Sequence, residues 1–164
     1  FIGDVNIHDT PNAEQLANIA MGIASTVKEL GYKPRVALLS FSNFGNLSRP
    51  SSKDLKEAVN ILDKKQVDFE FDGEMTPEIA LDYDLIKENY PFCRLSGPAN
   101  VLIMPSLLAA NISFKLLQKL SGGSILGPLM IGGEKPFQIV QMGSSVSDIV
   151  NSASIAAYNA IFSE

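Results

Sequence analysis

The stretch from Gln141 to Asp148 has residue types and a spacing suited to ligand binding. It reads as the end of a strand that turns at Gly143 and enters a helix capped by Ser144 or Ser145. The free backbone N–H groups at the start of a helix favour an anion. The stretch contains no Arg or Lys, however, and Asp148 is its one charged residue. We therefore expect this junction to offer hydrogen bonds and dipoles rather than a cation.

Polar side chains also follow three other predicted strands. Ligands of open α/β sheets collect at the carboxyl ends of strands, so these positions are candidates for contact. They are Ser40, Ser42, Asn43 and Gly45 after one strand, Asp72 and Glu74 after another, and Ser106 to Asn111 after a third. A plain turn is the alternative for the first group, because Asn and Gly tolerate positive φ.

Asp72 and Glu74 suggest an acid/base or metal pair. No third carboxylate or His lies nearby in the sequence, which favours a structural role and predicts no metal site. The serines lack a base for a catalytic triad, since His8 lies in the first strand-to-helix loop and is more often a surface residue. Cys93 has no adjacent base or helix start, so we expect an unreactive thiol.

The elements that would position these residues alternate between strand and helix about four times. RVALLSFS and NVLIMP are almost purely apolar, which predicts strands covered on both faces. Further strands are predicted near residues 1–7 and 68–73, and a last pair in SILGPLMIGG (124–133) and PFQIVQM (136–142). Helices are predicted from about Asn12 to Gly31, after Ser51, from Pro77 to about Asn89, after Ser106 with Leu108, Ile112, Leu116 and Leu120 inward, and after Ser145 with Val146, Val150 and Ile161 inward. This order predicts an α/β fold with a mostly parallel sheet sandwiched by helices.

The composition limits the classes of partner. The 164 residues are 46% hydrophobic and 19% charged, which is typical of a soluble globular domain. A net charge of -5 without a dense Lys/Arg run argues against nucleic acid and against an anionic membrane. A single Cys and a single His argue against an internal disulfide and a zinc cluster, which fits a reducing cytoplasm. The start at Phe1, without Met and already strand-like, leads us to expect a piece of a longer polypeptide.

Four blocks of the sequence resemble the phosphate acetyl/butyryltransferase family. In chain order they are VALLSFSNFGN, DGEM, ANVLIMPSLLAANISFKLLQKLSGG and LGPLMIGGEKP. The blocks SNFG and DGEM resemble most closely the phosphotransacetylase-like domain fused to the C-terminus of bacterial NADP-dependent malic enzyme (malate dehydrogenase, oxaloacetate-decarboxylating). Free-standing phosphotransacetylases more often have STKG and DGEL at these positions.

The resemblance implies an isocitrate/isopropylmalate dehydrogenase-like fold, in which two subdomains flank a cleft for coenzyme A and the acyl phosphate. Residues 1–164 would be the C-terminal half of that domain. About 7–127 would form the central, dimer-forming subdomain, and about 128–164 would supply strands and a helix that return to the other subdomain. The ligand-binding positions expected on these grounds are Ser40, Ser42, Asn43, Gly45, Asn111, Gly127, Pro128, Gly143, Ser144 and Ser145.

By the same resemblance, Asp148 occupies the position of the catalytic aspartate that helps to deprotonate the coenzyme A thiol. Active members carry a Ser-Arg pair where this chain has Gln141 and Met142, and that Arg contacts phosphate. A guanidinium clamps phosphate in a way that a thioether cannot replace. Its loss costs roughly 3 kcal/mol or more of transition-state stabilisation, on the order of a hundredfold in rate. The bare helix start could still hold an uncharged thioester.

We therefore expect a non-catalytic domain of a malic enzyme that binds acetyl-CoA for allosteric regulation and drives oligomerisation. The full enzyme would convert malate and NADP to pyruvate, CO2 and NADPH, with NADP and a divalent metal on an upstream domain and no cofactor in this piece. Its partners would be a coenzyme A thioester, the upstream domain and further copies, since Leu107, Phe114 and Leu117 add apolar surface beyond one stripe and predict a homodimer or higher homo-oligomer.

Two alternatives stay open. The chain could come from an active phosphate acetyl/butyryltransferase that transfers an acyl group between phosphate and coenzyme A, with its phosphate-binding Arg elsewhere, at Arg49 or Arg94. It could also be a purely structural oligomerisation module that binds no nucleotide.

Overall fold

The computed structural model describes residues 1–4, 6–45, 50–122 and 125–162. The elements in chain order are β1 (Ile2–Gly3), α1 (Ala13–Glu29), β2 (Arg35–Leu39), α2 (Pro50–Lys64), β3 (Glu70–Met75), α3 (Pro77–Leu81), α4 (Tyr83–Asn89), β4 (Val101–Ile103), α5 (Leu107–Leu120) and α6 (Val146–Phe162). The chain forms two compact units, Phe1–Phe114 and Lys115–Glu164. Among the described helices, none is both long enough and apolar enough to cross a membrane.

The first unit is built on a four-stranded parallel sheet. The strand order is β1-β4-β2-β3, so β2 pairs with both β3 and β4. Strands that neighbour in space without neighbouring in sequence require crossover connections, which the helices provide. The predicted α/β fold with a parallel sheet is confirmed.

Helices cover both faces of this sheet. Val36 and Leu38 of β2 join the core that contains α1 and α2, whereas Ala37 and Leu39 join a second core with α3, α4 and the segment from Leu95 to Ala99. All four strand residues are at most 2% exposed. Burial on both sides explains why this strand is almost purely apolar in sequence.

Local hydrogen bonds fix both ends of α1. Asn12 caps the start, and its side chain and that of Gln15 each accept a backbone N–H from the other residue, at 2.9 Å in both cases. At the end, Gly31 adopts φ +85 and donates to the Lys28 carbonyl, while Tyr32 donates to Val27. This is the Schellman arrangement that glycine favours.

The single helix predicted from Pro77 to Asn89 is wrong. Asp82 is extended, with φ -115 and ψ 103, and separates α3 from α4. Its carboxylate accepts the backbone N–H groups of Asp84 and Leu85 and so caps α4. A capping carboxylate of this kind competes with helix continuation.

The two strands predicted in SILGPLMIGG and PFQIVQM are also wrong, since residues 125–145 contain no strand. The side chain of Gln138 instead pairs with the backbone of Met130, whose N–H donates to Oε1 at 2.9 Å and whose carbonyl accepts from Nε2 at 3.2 Å. An apolar pattern indicates side chains that tend to be buried. A strand also needs a neighbouring strand to form hydrogen bonds with its backbone N–H and C=O groups.

The inward faces predicted for α5 and α6 are exposed within this chain. Ala110 is the one buried residue that the structure describes in α5. The exposed fractions reach 69% at Leu108 and 78% at Leu120 in α5, and 78% at Val146 and 69% at Ile161 in α6. The apolar residues of α5 and α6 therefore form faces that are not covered by any described part of the chain.

Candidate functional site

Apart from Asn111, which lies on α5, the residues predicted to bind a ligand lie in or beside two regions. One is the strand-end loop, residues 40–45, in the first unit. The other is the helix-entry pocket of the second unit, a depression of about 200 Å³. It is lined by Gln118, Ile125, Leu126, Gly127, Pro128, Ile139, Val140, Gln141, Met142, Gly143, Ser144, Asp148 and Ser152.

The end of β3 holds the strand-end loop in place. The N–H of Ser40 donates to Met75 at 2.9 Å, and the N–H of Phe44 donates to the Glu74 carbonyl at 2.7 Å. The Ser42 hydroxyl, which is 4% exposed, donates to Glu74 Oε1 at 2.9 Å. The Ser42 hydroxyl therefore already uses its proton in a bond to Glu74.

Asn43 and Gly45 complete the loop. Asn43 Oδ1 accepts both the N–H and the hydroxyl of Thr76, at 2.7 and 3.1 Å. Gly45 adopts φ +86, a conformation that glycine readily takes. The turn interpretation explains the residue types of this loop, and the amide nitrogen of Asn43 stays available as a donor.

The acidic pair Asp72 and Glu74 lies within β3, which continues to Met75, and not after the strand as the sequence predicted. Asp72 accepts the N–H groups of Gly73 and Arg94, at 2.9 and 2.8 Å, and also lies 3.4 Å from the Arg94 guanidinium. Glu74 is fully buried, and its Oε2 has no hydrogen-bond partner among the described residues. Within the described ranges, no group of three or more His, Cys, Asp or Glu residues is placed to hold a metal ion.

Arg94 is engaged by two carboxylates and is not a free phosphate clamp. Its guanidinium pairs with Asp63 at 2.5 Å and with Asp72 at 3.4 Å, and it lies over the ring of Phe71. Burial lowers the pKa of Arg94, but the two carboxylates outweigh burial and raise it. Arg49, the other Arg considered at this position, lies outside the described residues.

Cys93 and His8 show no catalytic pairing with each other. Burial raises the pKa of the Cys93 thiol to about 11, which fits the expected unreactive thiol. His8 Nδ1 pairs with Asp4, whose carboxylate also accepts the N–H groups of Ile7 and His8. His8 is thus part of a local turn.

Asn111 donates to Asn6 Oδ1 at 3.4 Å in the same unit.

Ser145 and Asp148 form the cap of α6 at the helix-entry pocket. The hydroxyl and the N–H of Ser145 donate to Asp148 Oδ2 at 2.7 and 3.0 Å, and the N–H of Asp148 donates back to the Ser145 hydroxyl at 3.1 Å. The Ser145 side chain, followed by its backbone N–H, lowers the pKa of Asp148. Asp148 is therefore an exposed, ionised carboxylate that already holds two hydrogen bonds.

The turn before this cap presents the remaining predicted residues. Gly143 adopts φ +87, and the hydroxyl and N–H of Ser144 donate to the Gln141 carbonyl at 2.7 and 3.1 Å. Met142 is fully exposed and lines the pocket without a polar group.

The helix-entry pocket brings together most of the sequence-predicted positions of the second unit, namely Gly127, Pro128, Gly143, Ser144 and Asp148. The sequence did not point to Gln118 and Ser152, which lie on α5 and α6. Neither has a local motif, and only the fold places them at the pocket. The lining described here contains no cation, so it suits an uncharged group such as a thioester rather than a phosphoryl group.

A family model described as phosphate acetyl/butaryl transferase matches residues 1–157. Curated relatives include the NADP-dependent malic enzyme of Rhizobium meliloti (strain 1021), 52% identical over 98% of this chain. The phosphate acetyltransferase of Treponema pallidum (strain Nichols) is 38% identical over 94% of this chain. The chain spans 21% of the first relative's length and 47% of the second's.

Solved structures are similar over the same extent. A phosphotransacetylase from Streptococcus pyogenes superposes with a TM-score of 0.91, at 33% identity, over 98% of this chain and 49% of that one. The EutD phosphotransacetylase of Staphylococcus aureus gives a TM-score of 0.88 at 31% identity, over 97% of this chain and 49% of that one.

Proposed function

The chain belongs to the phosphate acetyl/butaryl transferase family, and on that premise we propose that it is the phosphotransacetylase-like domain of a malic enzyme, without transferase activity of its own. Support comes from relatives named NADP-dependent malic enzyme at 52% and 39% identity. In this proposal the complete polypeptide converts malate and NADP to pyruvate, CO2 and NADPH on an upstream domain that also holds the divalent metal.

The observation that carries the proposal is the exposed Met142 in the helix-entry pocket. The resemblance places the phosphate-binding Arg of active transferases at this position. Without that cation the pocket can accept the uncharged thioester of acetyl-CoA through hydrogen bonds from the Gln141 side chain, while phosphoryl transfer loses its main electrostatic support. By the resemblance, Asp148 stands at the position of the catalytic aspartate, but its carboxylate is bonded to Ser145 in the cap of α6.

Regulation follows if acetyl-CoA prefers one of two quaternary states of the enzyme. A ligand shifts such an equilibrium only by its difference in affinity for the two states. We propose that bound acetyl-CoA favours a state with lower malic enzyme activity. The location we propose is the cytoplasm, where a lone unpaired Cys93 is expected.

The domain organisation that we propose is isocitrate/isopropylmalate dehydrogenase-like. Residues from about 7 to 127 form the dimer-forming subdomain, and residues from about 128 to 164 return to a second subdomain. The exposed apolar faces of α5 and α6 support this arrangement, because exposed apolar surface of this extent favours a protein partner. Light scattering of the complete polypeptide at tens of micromolar should give a homodimer or a higher homo-oligomer; a monomer alone would contradict it.

Calorimetry and a transfer assay test the site itself. The complete polypeptide should bind acetyl-CoA, and it should form no acetyl-CoA from acetyl phosphate and coenzyme A at saturating concentrations. Absence of binding would leave only a structural oligomerisation role.

An active acyltransferase is the second candidate. It is favoured by the retained Asp148 and by the relatives named phosphate acetyltransferase, at 38% identity. Measurable synthesis of acetyl-CoA or butyryl-CoA from the acyl phosphate would select it over the first proposal.

A further inference from the structure

The five methionines of the chain differ in exposure, and Met142 is the one whose side chain is fully exposed. Met75 is 0% exposed, and Met21, Met104 and Met130 are half-buried. Met21 and Met104 pack against the two hydrophobic cores of the first unit. An oxidant in solvent can therefore reach the sulfur of Met142 without any local opening of the fold, whereas the other four sulfur atoms are at least partly covered.

The turn that carries Met142 leaves open space beside this side chain. A Cβ atom added at Gly143, the next residue, would meet no atom within 4 Å. The Ser144 hydroxyl donates to the Gln141 carbonyl at 2.7 Å and so closes the turn around Met142. The backbone of this turn thus holds the thioether in the lining of the helix-entry pocket, although no packing covers it.

The thioether of Met142 is the group in the described pocket lining that a mild two-electron oxidant can modify, since that lining contains no Cys, His or aromatic residue. A hydroperoxide transfers one oxygen atom to such a sulfur. The S–O bond forms as the peroxide O–O bond breaks, the sulfur loses two electrons, and hydrogen peroxide is reduced to water. The product is methionine sulfoxide, which is polar and chiral where the thioether was apolar.

We propose that Met142 is a modification site for hydroperoxides and that its conversion to the sulfoxide changes what the helix-entry pocket binds. The sulfoxide oxygen accepts hydrogen bonds, as does the carboxylate of Asp148 in the same lining. The carbonyl of a thioester is an acceptor too, so the oxidised pocket complements it less well. The oxidised form therefore binds acetyl-CoA more weakly, a consequence that rests on the proposed function.

Peptide mass spectrometry of the complete polypeptide during limited treatment with hydrogen peroxide tests the modification site. The peptide that contains Met142 should gain one oxygen atom about tenfold faster than the peptides that contain Met21 or Met104, because exposure sets the rate. In concentrated urea the rates should become similar, since unfolding exposes every methionine. Equal rates in the folded protein would overturn the site.

Calorimetry with acetyl-CoA before and after the same treatment tests the effect on the pocket. Oxidised wild type should bind acetyl-CoA about tenfold more weakly. Treatment with a methionine sulfoxide reductase should restore the affinity. Met142→Leu has no sulfur at this position, so its affinity, whatever its starting value, should not change on oxidation. Met130→Leu removes a half-buried sulfur from the same unit and should respond to peroxide as wild type does.

Two results would overturn the effect on the pocket: an unchanged affinity in oxidised wild type, or an equal loss of affinity in oxidised Met142→Leu. If untreated wild type binds no acetyl-CoA, the proposed function fails, and with it the effect on acetyl-CoA. The oxidation rates then decide the modification site alone, and faster oxidation of Met142 than of Met21 and Met104 would still support it.

Discussion

Position 142 carries an exposed thioether where active transferases of the family are expected to carry the phosphate-binding Arg. Asp148, which lies three residues beyond Ser145 and is bonded to it, is the one charged residue in the described lining of the pocket, and the other lining residues are polar or apolar and uncharged. A pocket with this lining can orient an ester or thioester through hydrogen bonds. It has no group that matches the charge developing during phosphoryl transfer.

Restoring the cation should restore part of the chemistry. Met142→Arg is expected to make acetyl-CoA formation from acetyl phosphate measurable, about a hundredfold above the wild-type background, because a guanidinium clamp is worth roughly 3 kcal/mol in the transition state. The side chain is exposed, so folding should be unaffected. Met142→Gln is the neutral control. No gain in a folded Met142→Arg protein that still binds acetyl-CoA would contradict the role given to this position.

Cys93 should resist alkylation at neutral pH. Its raised pKa of about 11 means that the thiolate, the reactive form, is scarce at pH 8. Iodoacetamide should therefore react on the order of a hundredfold more slowly than with an ordinary thiol of pKa near 8.5. The rate should climb with pH until about 11. A rate equal to that of a small free thiol at pH 8 would show that burial does not protect this side chain.

Single residues illustrate what the sequence could and could not predict about the site. The turn at Gly143 and a helix cap at Ser144 or Ser145 were predictable because both are local signals, and the structure places the cap at Ser145. The approach of the Lys56 side chain to Gly45 was not predictable, since it depends on how α2 packs beside the loop. Glu74 also looked like an ordinary strand-end carboxylate, and only the fold shows that it is fully buried.

At the scale of elements, the cap of α6 couples Asp148 to the helix start. Hydrogen bonds from Ser145 lower the pKa of Asp148, so its contribution to helix stability is present above the unfolded pKa near 3.9. That contribution is lost as pH falls through the lower folded pKa. Ser145→Ala should raise the Asp148 pKa toward its ordinary value in an NMR titration. Ser147→Ala is the control, and an unchanged pKa in Ser145→Ala would contradict the cap.

The contact between β2 and β3 depends on Gly73. A Cβ atom there would lie 2.8 Å from the carbonyl oxygen of Leu38 and 2.9 Å from its Cβ. Gly73→Ala should therefore lower the free energy of unfolding by about 2–3 kcal/mol, because backbone cannot move aside cheaply. Gly31→Ala is the matched control, with φ +85 and no atom within 4 Å. It should cost about 1 kcal/mol from backbone strain alone. Equal stability losses measured by urea denaturation would refute the steric explanation.

Elements buried within the chain were predicted well, and elements that need outside partners were not. β2 and β4 were evident as apolar runs, and the start of α1 near Asn12 was evident as well. The prediction of strands in residues 124–142 was wrong, because apolar spacing does not indicate whether a neighbouring strand is present. The break at Asp82 was missed because the sequence alone does not distinguish an acidic residue inside a helix from one that caps the next helix.

At the scale of the whole molecule, exposed apolar residues mark the surfaces that need partners. They concentrate on α5 and α6, with Leu108, Leu120, Val146 and Ile161 all more than two-thirds exposed. The chain also spans only 21% of the length of the Rhizobium meliloti malic enzyme. Both facts support a domain that works through contacts with other parts of a larger assembly.

The most direct test is the rate of NADPH formation from malate by the complete polypeptide, measured across a titration with acetyl-CoA. The proposal predicts a saturable fall in rate, with no acetyl transfer under the same conditions. Met142 lines the pocket proposed to bind acetyl-CoA, so substitutions there should shift the midpoint of the fall. A rate that stays constant up to saturating acetyl-CoA would contradict the regulatory role.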